Sequence, residues 1–413
     1  MTVEQKDVVD YLLHTSGHVF LTGRAGTGKT HALYWFQQLS SKKIAICAPT
    51  GVAALNANGS TIHNLLGLNT SLPADDNMDY FKVKSKRRHL IDLQVLVIDE
   101  ISMVSSDLLD SMDRQLRVLK DNHYEPFGGV QIVMIGDPYQ LPPVVTREDQ
   151  KYFIDSKYQS AWFFDAKVWE HAEFKTFALT QVQRQSDTTF IDLLNKVREG
   201  DVTQADVNLL NAVGKRPGRT TNGVLLGARR AQVDDYNKSK LKALKGRSIS
   251  YKARVNVGFG PQAPADRELL LKPGARIMML TNDAQDRWVN GSLGKVRSCH
   301  ETSIIVDLYD GTSHNISATA WVKAGTHPED YKTAPKFWQI PVRHAWALTV
   351  HKSQGASLPE VHIDMGYGGA FSPGQTYVAL SRVQTPEGLF FDTPLRLSDI
   401  RVDDNVKRFF NSL

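Results

Sequence analysis

Cysteine is scarce in this chain. Cys47 and Cys299 are the only two among 413 residues, which excludes a disulfide framework and a cysteine-rich metal centre and points to a reducing, cytoplasmic setting. Long apolar runs are lacking too. None approaches the ~20 residues of a membrane-spanning helix. Residues 1–7 hold no apolar signal core, so no membrane partner is expected. There is no repeat of fixed short period and no low-complexity tract, which argues against a solenoid or an extended linker. Charge is close to balanced: 49 Lys and Arg against 44 Asp and Glu leave +5. That permits a polyanionic partner without requiring one. What is present, 41% hydrophobic and 23% charged residues, is the make-up of a globular protein long enough for two or three domains.

One stretch stands out from that ordinary composition. Gly23-Arg24-Ala25-Gly26-Thr27-Gly28-Lys29-Thr30 fits GxxxxGK[ST] and comes one residue after the apolar run His18-Val19-Phe20-Leu21. Residues 31–39 read as the next helix. A strand, a glycine loop and a helix in that order make a phosphate-binding loop. Its backbone N–H groups and the helix N-terminus attract phosphate oxygens. Lys29 can reach the β- and γ-phosphates, and the Thr30 hydroxyl can hold Mg²⁺. A nucleotide is therefore the expected ligand.

Three further apolar runs, at residues 43–48, 95–98 and 130–135, alternate with helical segments. They predict a parallel sheet covered on both faces, in a first α/β domain over residues 1–180. An amphipathic helix is expected over residues 3–15. A polar segment at 69–88 interrupts the domain, with Asp75 and Asp76 followed by Lys82, Lys84, Lys86, Arg87 and Arg88. It reads equally as a solvated loop and as a small wedge-like insertion touching a polyanion. A second α/β pattern opens at Asn222, with a helix from 229 to about 244. Residues 251–337 then change to short alternating runs rich in Gly and Pro, the signature of an antiparallel β unit. The α/β pattern resumes afterwards. The second domain is thus expected at 181–250 and 338–413, with the β unit inserted in it.

More chemistry sits at the ends of the apolar runs. Val95-Leu96-Val97-Ile98 ends in Asp99-Glu100. At a strand's end beside a phosphate loop, Asp99 can hold Mg²⁺ and Glu100 can deprotonate an attacking water. The acid pair favours hydrolysis over a switch GTPase, and no Asn-Lys-x-Asp guanine-reading motif is present. Gly136-Asp137-Pro138-Tyr139-Gln140-Leu141-Pro142-Pro143 comes after the next run. There Gln140 can touch both the γ-phosphate and the water, in what is otherwise a proline-rich turn.

Together these motifs resemble superfamily-one helicases of group B, most closely the petite-integration-frequency (PIF) and RecD-like DNA helicases. Residues 48–54 with Ser60-Thr61-Ile62-His63 look like motif Ia, and residues 99–104 like motif II. Pro126-Phe127-Gly128-Gly129-Val130-Gln131 running into 136–143 is similar to the PIF signature joined to motif III. Residues 179–198, containing Arg184-Gln185, resemble motif IV. Residues 346–355 resemble motif V, and Tyr377-Val378-Ala379-Leu380-Ser381-Arg382 motif VI. Residues 289–294 match a family stretch in the inserted unit.

The resemblance implies two RecA-like motor domains with a small SH3-like β-barrel in the second. It implies ATP and Mg²⁺, hydrolysis between the domains, and 5′-to-3′ movement on single-stranded DNA and on junctions with a 5′ tail, by a monomer. By position, Gln5 would contact adenine, and Arg184 and Arg382 would reach the γ-phosphate from the second domain. Gly26, Thr27, Gly28 and Gly355 would border the nucleotide. Pro49, Thr50, Thr61 and His63 would line the DNA path on the first domain, and Thr349, His351, Lys352 and Ser353 on the second. Compared with larger PIF members the chain has no N-terminal extension and no long C-terminal tail. A RecD-like motor subunit of a recombination or nuclease complex, and an RNA helicase of similar motor plan, are the alternatives.

Overall fold

The computed structural model describes residues 1–68, 72, 90–183, 185, 187–214, 223–256, 263–283, 285, 287–288, 290–322 and 336–413. The expected wedge at 69–88 lies outside the described residues apart from Leu72, and Arg184 lies outside them altogether.

The first sheet is wholly parallel. Its strands are β1 (Val19–Gly23), β2 (Ile44–Ala48), β3 (Ser60–Thr61), β4 (Val95–Ile98), β5 (Gln131–Ile135) and β6 (Lys175–Leu179). They lie in the order β3-β2-β4-β5-β1-β6. Successive side chains on a strand point to opposite faces, and here both faces are covered. Val19, Leu21, Val95, Val97, Val133 and Ile135 pack with Val8, Val9 and Leu12 of helix α1 (Val3–His14) and with Ala32, Leu33 and Phe36 of α2 (Lys29–Leu39). Phe20, Leu96, Ile98, Ile132 and Met134 face the other way, onto Leu109, Met112 and Leu116 of α3 (Ser106–Lys120). Two covered faces are why these strands read as unbroken apolar runs. The mixed fold contains two RecA-like domains.

The second parallel sheet is smaller. Ala347–Thr349, Val224–Gly227, Val361–Asp364 and Leu389–Phe391 lie side by side in that order. The chain leaves it after the helix Arg230–Ala243 and builds an antiparallel unit. That unit has a five-stranded sheet in the order 313–317, 303–308, 293–299, 276–279, 342–344, beside two- and three-stranded sheets. It runs from Ile249 to His344, wider than the 251–337 read from the sequence. Val342–His344 resembles a returning α/β strand in sequence because it is apolar at its start. In the fold it pairs with Arg276–Met279, and the parallel sheet resumes only at Ala347.

The C-terminal helix α4 (Asp404–Ser412) also differs from the sequence-based division, which gives 338–413 wholly to the second domain. Its Val406 and Phe409 belong to the core of the first. The Phe409 ring stacks on Phe164 at 4.2 Å between centroids and touches Phe20, Phe163 and Trp169. The Trp162 indole N–H donates to Asp403 Oδ2 at 2.9 Å. Apolar residues spaced by three, as at Val406 and Phe409, mark a face to be buried but not the surface that buries it. α4 is thus a strap from the second domain to the first. Truncating a buried phenylalanine costs about 3–5 kcal/mol. Phe409→Ala is therefore expected to destabilise the first domain by that amount in urea unfolding, read through the fluorescence of Trp162 and Trp169. An unshifted transition would show that α4 contributes nothing to that core.

Candidate active site

The phosphate loop emerges where β1 ends, at the C-terminal edge of the sheet and in its interior. Gly26 and Gly28 stand at φ 80° and 85°, in the left-handed region that favours glycine. A Cβ on Gly28 would also lie 2.3 Å from Gln5 Nε2. Loop and neighbour are thus shaped to each other. Lys29 opens α2, and its Nζ donates to the carbonyls of Gly23 at 2.7 Å and Arg24 at 3.0 Å. Burial pushes its ammonium pKa down, and the carboxylates of Asp137, Glu100 and Asp99 oppose this. A cation held on carbonyls amid acids at the head of a glycine loop fits a phosphate group. Thr27 is buried, with its hydroxyl on Arg24 O at 2.9 Å, so it braces the loop. Thr30 is exposed on the wall of the cleft.

Gln5 sits behind the loop. Its Oε1 accepts from Thr2 N in a capping box, and its Nε2 donates to the carbonyls of Thr27 and Gly28 at 3.4 and 3.2 Å. The side chain is fully buried and does not border the cleft. In this conformation the amide expected to meet adenine supports the loop instead.

Asp99 and Glu100 come directly after β4. Burial, then the charge of Glu100, push the Asp99 carboxyl pKa up to about 7. Two acids crowded in this way call for a cation, so Asp99 with Thr30 would suit Mg²⁺. Glu100 holds φ 52°, ψ 46°, a left-handed backbone in a non-glycine residue. Such strain persists only where surroundings impose it, and it gathers at functional sites. Glu100 Oε2 accepts from Gln354 Nε2 at 2.9 Å, a bond from the first domain to the second. Gln354 Oε1 is buried and has no hydrogen-bond partner among the described residues. It is an acceptor set beside the cleft.

Lys29, Thr30, Asp99, Glu100 and Gln140 line one wall of a cleft of about 1000 Å³, and Lys352, Gln354, Gly355 and Arg382 line the other. Arg382 is 2% exposed, too deep for a surface ion pair. Its guanidinium donates to the carbonyls of Val378, Ser353 and Ala356 and to Ser381 Oγ. Gln140 is buried, and Gly374 of the second domain lies against it. A Cβ there would stand 2.1 Å from Gln140 O.

Two cross-domain contacts are not announced as sites by the sequence. Arg198 Nη2 meets Asp137 Oδ1 at 2.9 Å, with Tyr139 4.2 Å below the guanidinium. Tyr377 Oη accepts from Ala25 N of the phosphate loop at 2.9 Å. Both pairs lie within recognised motifs, yet one residue number cannot announce a partner 61 or 352 positions away. Gly291, Ser292, Tyr309 and Asp310 of the β unit also reach the cleft.

The residues expected on a DNA path divide into surface groups and braces. Thr50, Thr61 and Thr349 each accept from a backbone N–H three residues on, at 3.2, 3.3 and 3.3 Å, and so fix the turns they open. Pro49 is half-buried beside Thr50, and Lys352 is exposed. Burial lowers the pKa of His63 and of His351, so near neutral pH both are uncharged hydrogen-bonding rings rather than cations. Ser353 is a correction. It is fully buried, its hydroxyl donates to Val350 O at 2.8 Å, and it shapes the turn instead of facing a strand.

The family model for PIF1-like helicases matches residues 1–208. ATP-dependent DNA helicase PIF1 of Xenopus laevis is 34% identical over all of this chain, which spans 64% of that protein's length. ATP-dependent DNA helicase Pif1 of Bdellovibrio bacteriovorus is 32% identical over 94% of this chain and 87% of its own. The solved structure of Pif1 helicase from Bacteroides in complex with ADP-AlF3 and ssDNA superposes with a TM-score of 0.78 at 32% identity, covering 100% of this chain and 96% of that one. A phosphate loop, an acid pair and a buried arginine meet across one cleft, and the likeness in sequence and fold runs the length of the chain: it belongs to the PIF1-like helicase family.

Proposed function

We propose that this chain is an ATP-dependent DNA helicase that moves 5′ to 3′ along single-stranded DNA and unwinds duplex ahead of it. The observation that carries the proposal is the divided site. Lys29, Asp99 and Glu100 belong to one RecA-like domain, and Gln354, Tyr377 and Arg382 to the other. Its relatives are named ATP-dependent DNA helicases, and one related structure holds a nucleotide analogue and ssDNA together. In this reading a first motor domain is completed by α4, and a second motor domain carries the β unit. No helix among the described residues is long and apolar enough to cross a membrane. A cytoplasmic setting belongs to the reading and rests on the two free thiols.

In the proposed cycle, Lys29 exchanges the carbonyls of Gly23 and Arg24 for phosphate oxygens. Thr30 and Asp99 would hold Mg²⁺, which neutralises charge on the phosphates. The Glu100 carboxylate takes a proton from the attacking water, and its bond to Gln354 Nε2 ties that base to the closed cleft. Arg382, and Arg184 by resemblance, present guanidinium groups to the γ-phosphate. Reopening separates Ala25 from Tyr377 and Glu100 from Gln354. The DNA grips at Pro49, Thr50, Thr61 and His63 then shift relative to those at Thr349, His351 and Lys352. Hydroxyls, imidazoles and an ammonium hold phosphates without reading sequence.

Lys29→Ala is expected to remove most ATPase activity. Glu100→Gln is expected to bind ATP and DNA while hydrolysing slower by on the order of 10²-fold or more. Near-normal turnover in Glu100→Gln would remove it as the base.

Single-stranded DNA is expected to stimulate the wild-type ATPase strongly, and Arg382→Ala to lose that stimulation while keeping most DNA affinity. If Arg382→Ala instead abolishes DNA binding, the residue is a phosphate grip and the divided-site mechanism is wrong. Greater stimulation by RNA than by DNA would reassign the substrate.

Polarity is read with tailed duplexes. With ATP and Mg²⁺ a 5′-tailed substrate is expected to be unwound and a 3′-tailed one left largely intact; the reverse preference would overturn the direction.

A further inference from the structure

Several of the larger aromatic residues are core. Trp162, Phe163, Phe164, Trp288, Trp321 and Trp346 are all buried. Two less conspicuous rings are not. Tyr367 is fully exposed, at 101% of its reference area, and Phe371 is 50% exposed. Both lie in the loop 365–374, directly after the strand Val361–Asp364.

Three adjacent parallel strands deliver their loops to one edge of the second sheet. Ala347–Thr349 leads to His351 and Lys352. Val224–Gly227 leads to Arg229 and Arg230. Val361–Asp364 leads to Tyr367 and Phe371. The rings of His351 and Phe371 lie 6.3 Å apart and 17° from parallel. The Arg229 guanidinium sits 5.5 Å over the Phe371 ring.

A lone exposed tyrosine on a surface means little. This one stands on a loop whose backbone is tied down on several sides. Gly366 N donates to Asp364 Oδ1 at 2.8 Å, and Arg229 Nη1 donates to Gly369 O at 3.1 Å. Ala370 N donates to Asp399 Oδ1 at 3.2 Å, and Phe371 N to Gln375 Oε1 at 3.1 Å. A Cβ on Gly369 would lie 2.2 Å from Asp399 Oδ1, so the loop passes too close for any other residue. The main chain is ordered before any ligand arrives, which lowers the entropy cost of stacking something on the ring.

The flank is basic. Arg229, Arg230 and Lys352 are exposed; Arg230 is joined loosely to Asp234 at 3.4 Å. Burial lowers the Lys352 ammonium pKa most, Arg343 and Arg230 add to this, and Asp266 and Asp234 oppose it. Arg343 belongs to the strand Val342–His344, and its Nε and Nη1 are buried and have no hydrogen-bond partner among the described residues. Cations that take phosphates, beside rings that take bases, are the ingredients of a single-strand groove.

We propose that Tyr367 and Phe371 form a base-stacking ledge for a single DNA strand, continuous with the grip at His351 and Lys352. The inference rests on the helicase reading and adds to its phosphate contacts a hold on the bases. Every base has a π-face, so the ledge adds affinity without sequence preference.

The test compares binding of a fluorescein-labelled oligothymidine with that of the same oligomer carrying abasic sites. Wild type is expected to prefer the intact strand by roughly 5-fold or more. Tyr367→Ala is expected to lose that preference while keeping the salt dependence of binding, and Tyr367→Phe to retain both. Lys352→Ala is expected to keep the preference but flatten the slope of log K against log salt by about 0.7, one phosphate contact. A wild type that binds both strands equally, or a Tyr367→Ala protein that discriminates as wild type does, overturns the ledge and leaves the helicase reading standing. A wild type that binds neither strand overturns the helicase reading itself.

Discussion

The two motor domains meet at one buried ion pair. Arg198 and Asp137 meet with side chains 8% and 0% exposed, and they belong to different motor domains. Burial works against the Arg198 charge, but the charge and hydrogen bond of Asp137, with Tyr377 and Tyr139, together outweigh it and the guanidinium pKa rises. Removing one partner of such a pair strands a charge in the interior and costs about 3–5 kcal/mol. By contrast, the pair of Lys43 and Asp92 is exposed on both sides, and water and salt screen it to little effect. The buried pair also sets the turn that carries Gln140. Asp137 O accepts from Gln140 N at 2.9 Å, and Asp137 Oδ1 accepts from Tyr139 N at 3.2 Å. The group expected to face the γ-phosphate is thereby placed by a residue whose partner sits across the cleft.

The same pair is joined to the strap. The Tyr139 ring stacks on Phe410 at 5.0 Å, and Arg198 lies over both rings. Phe410 belongs to α4, whose other face fills the first domain's aromatic core through Phe409. The two motor domains are thus linked by the chain that follows β6 and again by α4. A hinge with two connections restricts the paths along which the domains can part, and the cleft lies between them.

Much of this is legible in the sequence, for identifiable reasons. β1, β4 and β5 are buried on both faces, so their apolar runs appear without alternation, and the catalytic motifs come directly after them. β6 is hidden because it lies at the edge of the sheet. Its burial is uneven from Lys175 to Leu179, so its residues carry neither a clean alternation nor a full apolar run. The roles of single side chains are less legible than the motifs. Gln5 and Ser353 stand where the family resemblance puts them, yet one braces the phosphate loop and the other is buried under a turn. A motif records which residue occupies a position; which way it faces depends on neighbours distant in the chain. Tyr367 escapes notice for the opposite reason. A tyrosine between glycines looks like loop filler until the hydrogen bonds that immobilise its backbone are in view.

The nucleotide cleft and the proposed ledge obey one architectural rule. Ligands of open parallel sheets gather beyond the carboxyl ends of the strands, and here two such edges carry both sites. The loop 365–374 connects them. One end presents Tyr367 to solvent. At the other end Gly374 packs on Gln140 O, and the helix Gln375–Leu380 begins, carrying Tyr377 against Ala25 and leading to Arg382. A shift of this loop toward the cleft therefore cannot leave the cleft wall unchanged, because Gly374 has no side chain to compress and meets backbone directly. On the proposed ledge, a strand stacked on Tyr367 and a nucleotide bound between Lys29 and Arg382 bias the same short, hydrogen-bonded segment. Coupling of that kind needs no long relay of residues. It needs only that both ligands touch one continuous segment, and the run from Tyr367 to Arg382 is continuous, with its loop backbone held by Arg229, Asp399 and Gln375.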